Sequence, residues 1–178
     1  MEDLEEDLEE AITYDRELLS LRPPGDPDRS VSLYNIVDAF FVRYQQSGGM
    51  EDLDELITSY REALSFHPPG HPNLPISLIN FANVVRTRYK QLCRMEDLEE
   101  AITCNRKALG LYPPGHPYRS ESLGNLANAF LTCYEQFGGM ESLEEVITYC
   151  REALSLYPLG HLDRSTSLSN LANAILTR

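Results

Sequence analysis

The sequence lacks any hydrophobic run long enough to cross a membrane. The run from Ile36 to Val42 is interrupted by Asp38, whereas a membrane-spanning helix needs about 20 mostly apolar residues. The first ten residues, MEDLEEDLEE, are acidic where an export signal would be basic and then apolar. We therefore expect no membrane segment, no export signal and a cytoplasmic location.

Basic residues are also scarce. The 178 residues include 15 lysines and arginines against 28 aspartates and glutamates, so the net charge is −13. Nucleic acids and anionic membrane surfaces attract proteins through a positive field. We therefore expect neither a nucleic acid nor a membrane among the partners of this chain. The cysteines form no CxxC pair, which predicts free thiols in a reducing compartment.

A repeat of 45 residues runs through the whole chain. The loop sequence Pro-Pro-Gly begins at Pro23, Pro68 and Pro113, and in the fourth copy it has become Pro158-Leu159-Gly160. A fixed period between 20 and 50 residues is typical of solenoids, in which each unit buries its apolar face only by stacking on its neighbours.

Each repeat contains two helical patterns, a helix A followed by a helix B. In residues 119–163, apolar side chains recur at spacings of three and four from Leu123 to Tyr134, and again from Leu143 to Tyr157. This spacing is typical of helices with one buried face. No segment alternates as a strand would, so we expect an all-α fold. The predicted A helices cover 29–46, 74–92, 119–137 and 164–178, and the predicted B helices cover 3–21, 51–66, 96–111 and 141–156.

These patterns predict a single repeat domain over residues 1–178, an α-solenoid of antiparallel helix pairs. It comprises a lone B helix in 1–28, full A–B pairs in 29–73, 74–118 and 119–163, and a truncated A helix in 164–178. We expect the two terminal helices to expose complementary apolar faces and therefore to associate head to tail between molecules. The residues expected to be exposed are Leu4, Leu8 and Ile12 at one end, and Leu171 and Ile175 at the other.

The A and B patterns resemble the tetratricopeptide repeat. Leu126-Ala127 and Phe130 match that family's helix A, and Ala101, Ala108 and Pro113 match its helix B. The unit here is longer, 45 residues against about 34. The segment GHPYRSESLGNLANAF resembles the kinesin-light-chain type of this repeat, and the near-identical copies are similar to arrays in large fungal proteins. The resemblance implies a right-handed superhelix whose inner face, lined by A helices, binds peptides or protein segments.

Two columns of asparagine on the A helices are the strongest candidate binding residues. Asparagine is a mediocre helix former, and its amide can both donate and accept hydrogen bonds to a peptide backbone. The alternative is that the amides bond neighbouring A helices and set the stacking of repeats. The first column contains Asn35, Asn80, Asn125 and Asn170; the second contains Asp38, Asn83, Asn128 and Asn173.

Arginines on the A helices are a second set of candidates. Arg43 and Arg88 share one column, and Arg86 lies beside Arg88. An arginine could hold a ligand carboxylate through two hydrogen bonds. The alternative is a solvated helix end with ion pairs between residues four apart.

The sequence contains no catalytic or metal-binding motif. Most of its glycines lie in the proline-glycine loops or end helices, and none belongs to a Gly-rich phosphate-binding loop. His71, His116 and His161 recur once per repeat, too far apart to share a metal ion. We therefore expect no enzyme activity, no metal and no cofactor. The predicted function is a scaffold that binds proteins or peptides; the alternative is a structural spacer or self-assembly module.

Overall fold

The computed structural model describes residues 2–23, 26, 28–116 and 118–178, except for the side chains of residues 2–6. Every regular element in these ranges is an α-helix, which confirms the all-α prediction, and each helix begins and ends within two residues of its predicted bounds. None of these helices is long and apolar enough to cross a membrane. The helices are α1 (Glu2–Ser20), α2 (Arg29–Ser47), α3 (Met50–Ser65), α4 (Leu74–Leu92), α5 (Met95–Leu111), α6 (Arg119–Phe137), α7 (Met140–Leu156) and α8 (Leu162–Thr177).

Three A helices end at a residue with a positive φ. Gly48 and Gly138 have φ values of 68° and 70°, and each donates its N–H to the carbonyl of the tyrosine four residues earlier. Cys93 occupies the same place after α4 with φ 52°, and it donates to the Tyr89 carbonyl at 2.7 Å. Glycine adopts this conformation without the steric cost that a side chain brings.

The loop histidines help to start the A helices. The His71, His116 and His161 rings stack on aromatic rings four residues earlier, with centroid distances of 3.9, 4.4 and 4.6 Å. Each Nδ1 also accepts the backbone N–H of the residue two positions later. Asp26 takes this role before α2, where its carboxylate accepts the Asp28 N–H at 2.8 Å. Of the first Pro-Pro-Gly loop, Pro24 and Gly25 lie outside the described residues.

The chain divides into two compact units, residues 1–74 and 75–178. In the first unit, α2 packs against both α1 and α3. The core there consists of apolar side chains that the 3.6-residue period places on one face of each helix. These include Ile12, Leu33, Ile36, Phe40, Leu53, Leu56 and Ile57.

In the second unit, α6 packs against α5, α7 and α8. Tyr89 of α4 packs with Leu98 of α5 and Ala129 of α6. Ala127 of α6 and Ala153 of α7 are almost completely buried. This is consistent with close approach of α6 and α7.

The expected exposure of α1 is partly wrong. Ile12 is only 1% exposed, because α1 packs against α2 with this face. Leu8 is half-buried, and the Leu4 side chain lies outside the described residues. On α8, Leu171 is half-buried, whereas Ile175 is 50% exposed.

Candidate functional site

The second unit contains a polar pocket of about 230 Å³. Its walls come from three A helices, α4, α6 and α8, and from Tyr157 at the end of α7. The polar wall residues used below are Asn83, Arg86, Glu121, Asn125, Asn128, Tyr157, Asp163 and Asn170.

Both asparagine columns contribute to this pocket. Asn125 and Asn170 come from the first column, and Asn83 and Asn128 come from the second. The Asn170 Nδ2 donates a hydrogen bond of 2.7 Å to the Asn128 Oδ1. Thus one amide pair does bond neighbouring A helices, as the alternative interpretation expects, and it lies on the pocket wall at the same time.

Asn125 has an unsatisfied hydrogen-bond donor. Its Nδ2 is buried and has no hydrogen-bond partner among the described residues. A buried donor without an acceptor costs about 1–3 kcal/mol. An acceptor atom of a ligand in the pocket would remove this cost.

The structure leaves the other column members outside the pocket. Asn80 and Asn173 are exposed and do not line it. Asn35 and Asp38 belong to the first unit, where both are exposed on α2. The structure therefore brings together four of the eight column residues.

Arg86 is the cation of the pocket. It is partly buried, and this burial lowers the pKa of its guanidinium. The described residues provide it with no hydrogen bond or ion pair. A desolvated charge without a partner is costly, so Arg86 favours an anionic ligand atom.

Two carboxylates form an acidic part of the same pocket. Burial raises the pKa of Glu121, and the negative charge of Asp163 raises it further. Burial, followed by the charge of Asp163, raises the pKa of Tyr157 to about 12. The Tyr157 hydroxyl donates to the Ser120 carbonyl at 3.0 Å, which fixes the ring at the pocket wall.

Arg43 and Arg88, the other two candidate arginines, each form an ion pair with an aspartate nine residues later. The buried Arg88 donates from Nη2 to the Asp97 Oδ1 at 2.6 Å and from Nε to the Oδ2 at 3.0 Å. Arg43 donates to Asp52 at 2.6 Å in the same way, and also to Glu9. The interpretation of Arg88 as part of a solvated helix end is therefore wrong, because its carboxylate partner is on the next helix and the pair is buried.

The sequence carried a signal for this ion pair that the column analysis missed. Cys133 replaces the arginine in the next repeat, and Ser142 replaces the aspartate nine residues later. Both partners of the pair therefore change together. The two residues of the pair lie nine positions apart, on either side of the turn between helix A and helix B. Helical periodicity within one helix therefore does not reveal the pair.

Tyr157 and Gly124 also escaped the sequence analysis as a pair. A Cβ atom at Gly124 would lie 3.2 Å from the Tyr157 hydroxyl. In the first repeat the equivalent positions hold Tyr34 and His67, whose hydroxyl and Nδ1 are 3.2 Å apart. The column of Gly124 holds the larger Tyr34 and Ile79 in the other full pairs, and this loss of a side chain was the available signal.

The described residues contain no group of three or more histidine, cysteine, aspartate or glutamate side chains placed to hold a metal ion. No protein-family model matches the chain, and no curated protein is significantly similar to it. The pocket geometry is therefore the observation that bears on function.

Proposed function

We propose that this chain is a protein- or peptide-binding scaffold of the tetratricopeptide-like kind, a right-handed α-solenoid that binds through its A helices. The observation that carries the proposal is the pocket of α4, α6 and α8, with an unsatisfied amide donor at Asn125 and an unpaired charge at Arg86. Polar groups left without partners in a concave site favour a ligand that supplies them.

The size and chemistry of the pocket fit a short stretch of an extended peptide. Its volume of about 230 Å³ is below the roughly 300–1,000 Å³ typical of sites for drug-sized molecules. Asparagine amides can pair with both the N–H and the C=O of a peptide backbone. Such contacts hold the backbone of many sequences, and the charged side chains of the pocket then add selectivity.

The four cysteines are free in the structure, which supports the proposed cytoplasmic location. The overall charge of −13 supports a protein or peptide partner over a nucleic acid or an anionic membrane.

A peptide-display selection tests the proposal. A random dodecapeptide library is selected against the immobilised full chain, and the affinities of the selected peptides are measured by fluorescence anisotropy. The variant Asn83→Ala/Asn125→Ala should weaken binding by about 5- to 150-fold, since two lost hydrogen bonds amount to about 1–3 kcal/mol.

The matched control is Asn80→Ala/Asn173→Ala, which changes the same two columns outside the pocket. We expect the control to bind within about twofold of the original chain. Equal losses in both variants, or no loss in either, would contradict binding in this pocket.

The alternative function, a spacer or self-assembly module, is favoured by apolar side chains on α8. Leu168 and Ile175 are 49% and 50% exposed. Sedimentation at increasing concentration tests it, with Ile175→Lys as the variant that should abolish association. A chain that stays monomeric while it binds selected peptides would exclude this alternative.

A further inference from the structure

The pocket holds uncompensated charges of both signs. Arg86 lies on one wall, and Glu121 and Asp163 lie on the others. Neither Arg86 nor Glu121 has an ion-pair partner within 4.0 Å among the described residues. Burial dominates the pKa shift of both groups, and neither group is a cause of the other's shift. Arg86, the positive part of the pocket, and Glu121 with Asp163, the negative part, therefore form no ion pair within 4.0 Å.

These charges are not required by the repeat itself. The position of Arg86 holds Phe41, Leu131 and Leu176 in the other copies. The position of Glu121 holds Val31, Ile76 and Thr166. Apolar or neutral residues thus satisfy the helix packing at both places, so packing does not explain the charged ones.

The same pocket also contains the unsatisfied donor of Asn125. The buried Asn125 Nδ2 needs an acceptor, and Arg86 needs an anion. A single carboxylate offers both, since its two oxygens accept several hydrogen bonds. A neutral carbonyl would satisfy Asn125 but would leave the charge of Arg86 uncompensated.

The negative part needs a cation. Glu121 and Asp163 begin two successive A helices, α6 and α8, and the charge of Asp163 acts on Glu121. An ammonium or guanidinium group between them would relieve this repulsion. The His161 Nδ1 lies 3.8 Å from the Asp163 carboxylate, and the same Nδ1 accepts the Asp163 N–H.

We infer that the pocket selects a peptide segment in which an acidic and a basic side chain lie close together. The peptide carboxylate binds Arg86 and the Asn125 amide, and the peptide ammonium or guanidinium group binds Glu121 and Asp163. This inference rests on the proposed function, because it assigns the ligand class of the same pocket. An extended backbone advances about 3.3 Å per residue, so a small pocket accommodates both charges only within a few residues of one another.

The test uses the same random dodecapeptide library, sequenced after selection on four forms of the full chain. The forms are the original chain, Arg86→Gln, Glu121→Gln/Asp163→Asn, and the control Arg178→Gln, which changes an exposed arginine outside the pocket. Circular dichroism establishes that each form is folded. The original chain and the control should enrich peptides with an acid and a base within about five residues of each other.

The two pocket variants should each lose one half of this preference. Arg86→Gln should lose the acidic residue and keep the basic one, and Glu121→Gln/Asp163→Asn should do the reverse. For the peptide most enriched on the original chain, replacing its acid by glutamine should weaken binding about tenfold or more. On Arg86→Gln the same replacement should change binding less than about twofold.

The failures of the two proposals are distinguishable. Selected peptides that depend on Asn83 and Asn125 but contain no paired charges would overturn this inference and leave the proposed function standing. Peptides whose binding does not depend on those asparagines would overturn the proposed function. A uniform loss of enrichment in both charge variants would also overturn the assignment of separate acidic and basic parts.

Discussion

The Asn170 side chain donates a hydrogen bond of 2.7 Å to the Asn128 side chain, 42 residues earlier. It joins the first asparagine column of α8 to the second column of α6. Both residues also line the pocket. An amide has enough donors and acceptors to bond a neighbouring helix and still contact a ligand, so the two interpretations of the columns are compatible at this place.

Asn83 and Asn128 should therefore differ in their effects on stability. From the sequence alone, changing both to alanine would be expected to weaken ligand binding and leave the melting temperature nearly unchanged. Alanine gains up to about 0.7 kcal/mol of helix propensity over asparagine, whereas loss of the Asn170–Asn128 bond costs about 1 kcal/mol. Asn83→Ala should thus be slightly stabilising and Asn128→Ala slightly destabilising, about 2–4 °C apart in Tm.

A double-mutant cycle isolates the hydrogen bond. Asn128→Ala and Asn170→Ala should show a coupling of about 1 kcal/mol in urea denaturation. Additive effects would mean that the bond makes no contribution in solution.

The buried pair of Arg88 and Asp97 should contribute to folding rather than to binding. The Arg88 and Asp97 side chains are 11% and 3% exposed, so Arg88→Ala leaves an aspartate buried without its charged partner. Removal of one member of such a pair costs about 3–5 kcal/mol. Urea denaturation of Arg88→Ala should show this loss, and Arg88→Cys/Asp97→Ser, which copies the residues of the next repeat, should recover part of it.

Arg178→Ala is the matched control, because it belongs to the same column. Its ion pair with Glu144 is exposed, with both side chains more than 50% accessible. Exposed pairs contribute about 0–1 kcal/mol. Similar losses for Arg88→Ala and Arg178→Ala would contradict the role of burial.

The helices were predictable from the sequence because repeat register and helical periodicity are local properties. The pocket was predictable only in part. The asparagine columns pointed to Asn83 and Asn128, since a repeated polar residue in mid-helix is visible without a structure. Glu121 was missed because its column otherwise holds the uncharged Val31, Ile76 and Thr166. The significance of Glu121 and Asp163 depends on how closely α6 and α8 approach, which the sequence does not reveal.

Glu121 should make stability depend on pH. Its folded pKa is raised above an unfolded value of about 4.3, so the folded state binds the proton more tightly. Protonation therefore stabilises the fold fully below about pH 4, and this contribution is lost as the pH rises through the raised folded pKa. Glu121→Gln should raise the Tm at pH 7, and the difference should shrink as the pH falls toward 4.

Glu141→Gln provides a control of opposite sign. Glu141 is exposed in the first turn of α7, where the helix dipole favours a negative charge by about 0.3–1 kcal/mol. Its replacement should therefore lower the Tm at pH 7. If Glu121→Gln also lowers the Tm, the favourable dipole at the start of α6 outweighs the destabilising effects of burial and of the Asp163 charge on Glu121.

Gly124 should resist the stabilisation that alanine normally brings to a helix. Replacing glycine by alanine within a helix gains up to about 1 kcal/mol, and at the exposed Gly110 of α5 a Cβ meets nothing within 4 Å. At Gly124 the new Cβ would press on the Tyr157 hydroxyl at 3.2 Å, and the hydrogen bond of that hydroxyl to the Ser120 carbonyl holds it in place. Gly110→Ala should therefore raise the free energy of unfolding more than Gly124→Ala does.

Removing the hydroxyl with Tyr157→Phe should restore the gain at Gly124, measured as a favourable coupling between the two substitutions in urea denaturation. Equal gains at Gly110 and Gly124 in the original background, with no coupling to Tyr157→Phe, would show that the Tyr157 ring moves freely and does not form a fixed wall of the pocket.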